Sequence, residues 1–415
     1  MTRQSRPARP GSRGVGDPFG AMPVGTWLPP LLSAIGLVIV FVVTLSLLGV
    51  NLNIGTGGSP AGPDGNGQGN VDRTPAPSDV VLPEPEAAFP GSILYAKAGN
   101  IWIQTGDEVR QLTSAGTDSM PSWSPDGQTV YFIRTTEEIG VWPSQGQDRR
   151  YLMTVPNLMS VPVDASTKPE RLRTGKFKKA GRTWFFWMRQ PVMSPNGKTF
   201  ALVSDAPDPT KSDVILQFWT PATDKSSIPD VTEIPPLGHQ DPAWRPDGKM
   251  LFYVRNGREG AKGAPVIYRW DLAKKASSPV TGPGYLEPSF SPDGRYIAAT
   301  RTNAFGNDVV ILDANRGREL LRVTNDGGSW APVWSPAGDA IAFFHIEGQI
   351  VDLRMAVLGG KGPDWTVTEV KALTEVSGLD GSSRPDWFIP ADLLPATPVP
   401  SLPASAEPSS PSAAP

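Results

Sequence analysis

The sequence has no cysteine among its 415 residues, which excludes disulfides, thiolate metal centres and cysteine nucleophiles. Histidine is nearly as scarce, since only His239 and His345 occur. A Ser-His-Asp hydrolase would have to take its base from one of these two. No G-x-S-x-G elbow, HExxH, Walker-type, GxGxxG dinucleotide or EF-hand pattern offers another chemistry, so neither an enzyme nor a cofactor site is expected. Net charge is lacking too. At −3 over the whole chain there is no basic field of the kind nucleic-acid binding needs. Any charge argument has to be local.

What the sequence does have is 46 prolines and 43 glycines, unevenly spread. They divide the chain into a basic N-terminal tail (1–28), an apolar run (29–52), a Gly/Pro-rich linker (53–91), a strand-rich region (92–389) and a Pro/Ala/Ser-rich tail (390–415). The run from Pro29 to Leu52 contains no charge and is long enough for a helix to cross about 30 Å of hydrocarbon. Arg3, Arg6, Arg9 and Arg13 precede it, so the positive-inside bias predicts an uncleaved single-pass anchor. The N-terminus is then cytoplasmic and everything after the helix extracytoplasmic.

The strand-rich region repeats itself. Pro121-Ser-Trp-Ser-Pro-Asp-Gly127 returns as Pro191-Val-Met-Ser-Pro-Asn-Gly197, Pro242-Ala-Trp-Arg-Pro-Asp-Gly248, Pro288-Ser-Phe-Ser-Pro-Asp-Gly294 and Pro332-Val-Trp-Ser-Pro-Ala-Gly338, with a truncated copy at Pro385-Asp-Trp387. Apart from a wider first interval, the spacing is that of propeller blades. Ser-Pro-Asp-Gly sets proline where a turn needs φ near −65° and glycine where φ must be positive, so each copy reads as a tight hairpin between an inner strand A and a following strand B. Strand A recurs near Trp123, Met193, Trp244, Phe290, Trp334 and Trp387, and nothing follows the last to complete its blade. The missing B, C and D strands are Ile93–Ala96, Asn100–Gln104 and Glu108–Leu112 at the other end. An all-β, six-bladed β-propeller closed by pairing its termini is therefore expected. The recurrent aromatics read as packing between blades.

These motifs resemble the WD40-like repeats of the TolB-type propeller, from about Ile93 to Ile389. The resemblance implies the fold and a general binding role. It implies no particular partner, because an apolar run and linker stand where TolB has a small α/β domain. Nor is a hydrolase domain like that of the peptidase relatives expected from the Pro/Ala/Ser-rich tail that follows Trp387.

In antiparallel blades the A–B and C–D turns share one side of the disc, and the B–C and D–A connections share the other. Two insertions, Thr135 to Asn157 and Thr174 to Thr183, fall on the second side, and insertions gathered on one face mark a binding side. His239, Asp241, Glu287 and Arg384 lie just before inner strands and are candidates for the rim of the central funnel. His345 ends a strand B. Lys176, Lys178, Lys179 and Arg182, beside Trp184-Phe-Phe-Trp187, are candidates for a basic patch meeting a protein or an acidic envelope polymer. Rival readings are a sensor that takes a cation or small ligand in the funnel, and a carboxylate glycan hydrolase or lyase using Asp241 or Glu287. Both chain ends leave from the A–B side, which is expected to face the membrane, with the basic insertion directed outward.

Overall fold

The computed structural model describes residues 89–206, 214–229, 238–256 and 264–394. The basic tail, the apolar run, nearly all of the linker and the C-terminal tail from residue 395 lie outside the described residues. Among the described residues no helix is long and apolar enough to cross a membrane.

The chain enters with β1 (Ser92–Lys97), β2 (Asn100–Thr105) and β3 (Glu108–Gln111). The first complete blade follows as β4 (Asp118–Trp123), β5 (Thr129–Ser144), β6 (Gln147–Pro162) and β7 (Glu170–Thr174). A separate hairpin, β8 (Lys176–Lys179) and β9 (Arg182–Phe185), precedes β10 (Met188–Met193), β11 (Phe200–Ser204), β12 (Ile215–Thr220) and β13 (Lys225–Ser227). Then come β14 (His239–Trp244), β15 (Met250–Arg255), β16 (Val266–Asp271) and β17 (Ala276–Pro279), and β18 (Tyr285–Phe290), β19 (Tyr296–Asn303), β20 (Gly306–Asp313) and β21 (Glu319–Arg322). The fifth blade is β22 (Ser329–Trp334), β23 (Ala340–Glu347), β24 (Ile350–Gly359) and β25 (Thr366–Ala372), and the last strand is β26 (Asp386–Phe388).

These form six four-stranded antiparallel sheets, one of them ordered β26-β1-β2-β3. The closure expected from the sequence is thus present, with Ser92↔Phe388, Ile93↔Trp387 and Leu94↔Asp386 in register. Inner strands β4, β10, β14, β18, β22 and β26 touch in that order around a ring.

The repeated motif makes each A–B turn by the chemistry its residues imply. In the first blade Gly127 N–H donates to Ser124 O, while Asp126 accepts from the Ser124 hydroxyl and from Gln128 N–H. Ser194/Asn196 and Ser291/Asp293 repeat the pattern. Gly127 has φ +68°, and a Cβ there would lie 2.1 Å from the Phe388 ring.

The apolar faces of neighbouring sheets meet to make the core. Leu94, Ile101 and Ile103 of the closing blade pack with Trp123, Val130 and Phe132 of the next. Trp123 donates its indole N–H to Asp386 O (3.2 Å) and Trp244 to Val192 O (3.3 Å). The motif aromatics therefore stitch blades together.

The first insertion is not a loop, contrary to the expectation from its sequence. β5 and β6 remain paired through Thr135↔Pro156 to Ser144↔Gln147, and Gln145 (φ 51°) and Gly146 (φ 76°) make the two-residue turn in the left-handed pairing that suits the twist of a hairpin. The second insertion is also a hairpin, β8–β9, lying against this ribbon. Gly140 makes room for it, since a Cβ there would sit 2.4 Å from Met153 Cγ and 2.6 Å from Phe185 Cε2. Gly140→Val is expected to cost about 1–3 kcal/mol through overpacking. Cleavage by added protease should accelerate within 174–187 and leave the blades intact; unchanged cleavage there would show that the contact does not hold the hairpin.

Candidate functional site

Five of the six inner strands carry a register shift at their motif proline: Ser119/Ser122, Arg189/Val192, Gln240/Ala243, Leu286/Ser289 and Trp330/Val333. The right-handed helical region is disfavoured for a residue before proline. At these bulges it turns left-handed: Met120, Gln190, Asp241, Glu287 and Ala331 have φ between 51° and 55°. For a residue with a Cβ that costs roughly 1–2 kcal/mol. Each bulge turns a backbone N–H toward the neighbouring blade.

Those N–H groups run round the axis. Gln190 N–H reaches Met120 Sδ (3.3 Å), and Asp241 N–H reaches Gln190 Oε1 (2.9 Å). Glu287 N–H reaches Asp241 Oδ2 (3.2 Å), and Ala331 N–H reaches Glu287 Oε2 (2.8 Å). Met120 N–H closes onto Ser383 Oγ (3.0 Å). Gln190 returns a bond to Asp241 Oδ1 (2.6 Å), and the Thr300 hydroxyl donates to Glu287 Oε2 (2.6 Å).

Sequence reasoning selected Asp241 and Glu287 from this ring and missed Met120, Gln190 and Ala331. The signal was available, because all of them occupy the one position before the repeated proline. Burial raises the Asp241 carboxyl above its ordinary value, and burial together with the Asp241 charge raises Glu287 to about 7.

Two of the four rim candidates are used inside the structure. His239 is 3% exposed and sits against the Tyr253 ring at 4.8 Å, where its Nδ1 accepts Leu216 N–H (3.0 Å). It is therefore a core residue and does not reach the rim. Burial pushes its pKa down to about 3, keeping the imidazole neutral. Asp241 is also buried, its two oxygens taken by Gln190 and Glu287. Glu287 is half-buried on the ring. Arg384, also half-buried, spans the axis to Pro288 O (2.8 Å), and its Nε has no partner. His345 holds Ser329 Oγ (3.0 Å) beside Asp326.

From the ring toward the A–B turns the axis opens into a cavity of about 550 Å³. Gln190 and Arg384 stand at its inner end, and Pro121, Pro191, Pro242 and Pro288 with Trp123, Trp244 and Trp334 form its walls. The opening thus lies on the side opposite the rim expected from the sequence. No group of three or more His, Asp or Glu placed to hold a metal occurs among the described residues.

The basic residues are brought together but only partly left exposed. Lys176 pairs with Glu138 (2.7 Å) and Arg182 with Asp148 (2.9 Å), both on the β5–β6 ribbon, while Lys178 and Lys179 stay exposed. Of the aromatics beside them, Phe185 and Phe186 are buried and Trp187 is 51% exposed.

No family model matches the chain. An uncharacterized protein of Agrobacterium fabrum is 25% identical over 280 residues, covering 64% of this chain and 80% of that one. Among solved structures, TolB from Acinetobacter baumannii is 18% identical with a TM-score of 0.50, over 72% of this chain and 66% of that one, just under two thirds of its length. A TolB candidate from Agrobacterium tumefaciens is 16% identical with a TM-score of 0.51, over 73% of this chain and 95% of that one. Likeness at this level shows fold: the described region is a six-bladed β-propeller, similar in fold to the TolB structures.

Proposed function

We propose that the chain is an interaction module: a rigid propeller, held at a membrane by the run 29–52 and displayed extracytoplasmically, that binds a protein or an envelope polymer through its B–C/D–A face. One observation carries the reading. The two insertions interlock on that face into a projecting platform through Lys176–Glu138, Arg182–Asp148 and the Gly140–Phe185 contact. Such elaboration of one face of a repeat scaffold is characteristic of its recognition side.

Protease added to intact cells or protoplasts is expected to degrade 92–389 while a cytoplasmic control survives; protection of the propeller would overturn the topology. A photocrosslinking residue at Lys179 is expected to give a discrete adduct in cells, and one at Gln128, on the A–B side, none. The reverse pattern would move the partner to the other face.

The axial cavity favours a second reading, small-ligand binding. Its volume is in the range of ligand sites, and Arg384, whose Nε has no partner, stands at its inner end. Thermal stabilisation by a panel of small anions, lost in Arg384→Gln, would support it.

A further inference from the structure

The ribbon has strand edges that nothing described completes. Pairing of β5 with β4 stops at Asp118↔Arg134, and pairing of β6 with β7 stops at Asn157↔Thr174. Beyond those points, among the described residues, β5 and β6 pair only with each other. At about 3.3 Å per residue, Thr135 to Ser144 extend roughly 30 Å past the rest of the blade.

Three properties of this projection point the same way. The first is apolar. Ile139 and Leu152 are cross-strand partners, Val141 follows on the same face, and they are 57%, 62% and 42% exposed. Folded proteins ordinarily blunt an exposed apolar edge.

The second is the backbone. Thr135 N–H donates away from the ribbon to Thr117 O, and Pro156 O accepts from Gly175 N–H. The pair Thr135↔Pro156 therefore turns its polar groups outward. By the alternation of an antiparallel ladder, Glu137, Ile139 and Val141 present theirs on the open β5 edge.

The third is charge. With Lys176 and Arg182 neutralised, Arg149, Arg150, Lys178 and Lys179 have no carboxylate within ion-pair distance among the described residues.

We propose that the open β5 edge from Glu137 to Val141 takes an extended acidic segment of a partner protein as an added strand. This rests on the interaction-module reading and names its site and the chemistry of its partner. A strand alternating apolar and acidic residues satisfies all three properties together. Its backbone completes the edge, its apolar side chains cover Ile139, Val141 and Leu152, and its carboxylates meet the unpaired cations. A second copy of this chain would instead bring the same cations against themselves.

The test uses the full-length chain in detergent, immobilised against a displayed random-peptide library. Enrichment of peptides that alternate apolar and acidic residues is expected. A synthetic copy of one should slow hydrogen exchange at Glu137, Ile139 and Val141. Its affinity should fall at least tenfold when Arg149, Arg150, Lys178 and Lys179 are replaced by Ser. A comparable fall is expected for Ile139→Pro, which removes an outward donor while sparing the bonds between β5 and β6. No enrichment, enrichment of neutral or basic peptides, or protection of other amides would overturn the proposal. So would binding to phosphatidylglycerol vesicles that the peptide fails to displace. A Lys179 crosslink persisting after any of these results would leave the module reading standing and this site discarded.

Discussion

Trp387→Ala is expected to remove roughly 3–5 kcal/mol of stability, the range for truncating a large buried aromatic, and to do so for the propeller as a unit. Trp387 is 5% exposed. It packs edge-on against Phe89 at 5.6 Å, donates its indole N–H to Pro90 O (2.9 Å), and stands opposite Ile93 in the ladder that closes the ring. Next to it, Asp386 accepts Trp123 N–H (2.8 Å) from the first complete blade. Losing this strand frees an edge on β1 and uncovers two inter-blade clusters. Trp187→Ala removes the same side chain from a half-exposed site, where changes stay within about 0.5 kcal/mol. Urea unfolding followed by fluorescence and by circular dichroism should give coincident transitions with well-separated midpoints for the two variants. Equal midpoints, or loss confined to one blade, would sink the closure model.

The contribution of two buried carboxyls to stability is expected to fall as pH rises from about 4.5 to 7, the reverse of what paired surface carboxylates produce. His239, held neutral in the fold, acts in the opposite direction up to about 6.5. Burial, then the charge of Asp241, raises Glu287 to about 7, and burial raises Asp386 to about 6. Across that window these two carboxyls keep protons in the folded chain that they have released in the unfolded one, so their contribution falls with each step up in pH. Above about 7 Glu287 and Asp386 are ionised in both states and their contribution to the slope vanishes. At about 1.4 kcal/mol per pKa unit, Glu287 alone accounts for a change on the order of 3 kcal/mol. Glu287→Gln keeps an acceptor for Ala331 N–H and the Thr300 hydroxyl while removing the buried charge. The variant should match its parent near pH 4 and exceed it by a few kcal/mol near pH 8. Parallel profiles from chemical denaturation would show that Glu287 is not the group responsible.

The blades were legible because the turn chemistry of Ser-Pro-Asp-Gly is local and repeated, and because Trp387 left an incomplete blade whose missing strands could only be β1 to β3. The ribbon was not. Gly140, Pro143 and the charges of Thr135 to Asn157 read as loop, since a two-stranded projection buries too little to impose a regular apolar period. Only the Gln145-Gly146 turn marked it. The axial ring was half legible for a different reason. Its members share one repeat position, but which side chain meets which N–H depends on bulges that shift register, and register is invisible in composition. His239 was misplaced because a neutral buried imidazole and a rim imidazole look alike until packing against Tyr253 decides between them.

The strand that closes the ring is also the last of the fold to be synthesised. Pro90 and Trp387, joined by a hydrogen bond, lie 297 residues apart. During translation β1 to β3 therefore emerge first and wait longest, exposing an edge that only β26 can fill. Blades whose strands are contiguous in sequence close over short loops, whereas the final one waits on a long-range encounter of the slow kind. The interval before that encounter is when a nascent chain is most open to mispairing with its neighbours, so truncated products should aggregate even when five blades are complete.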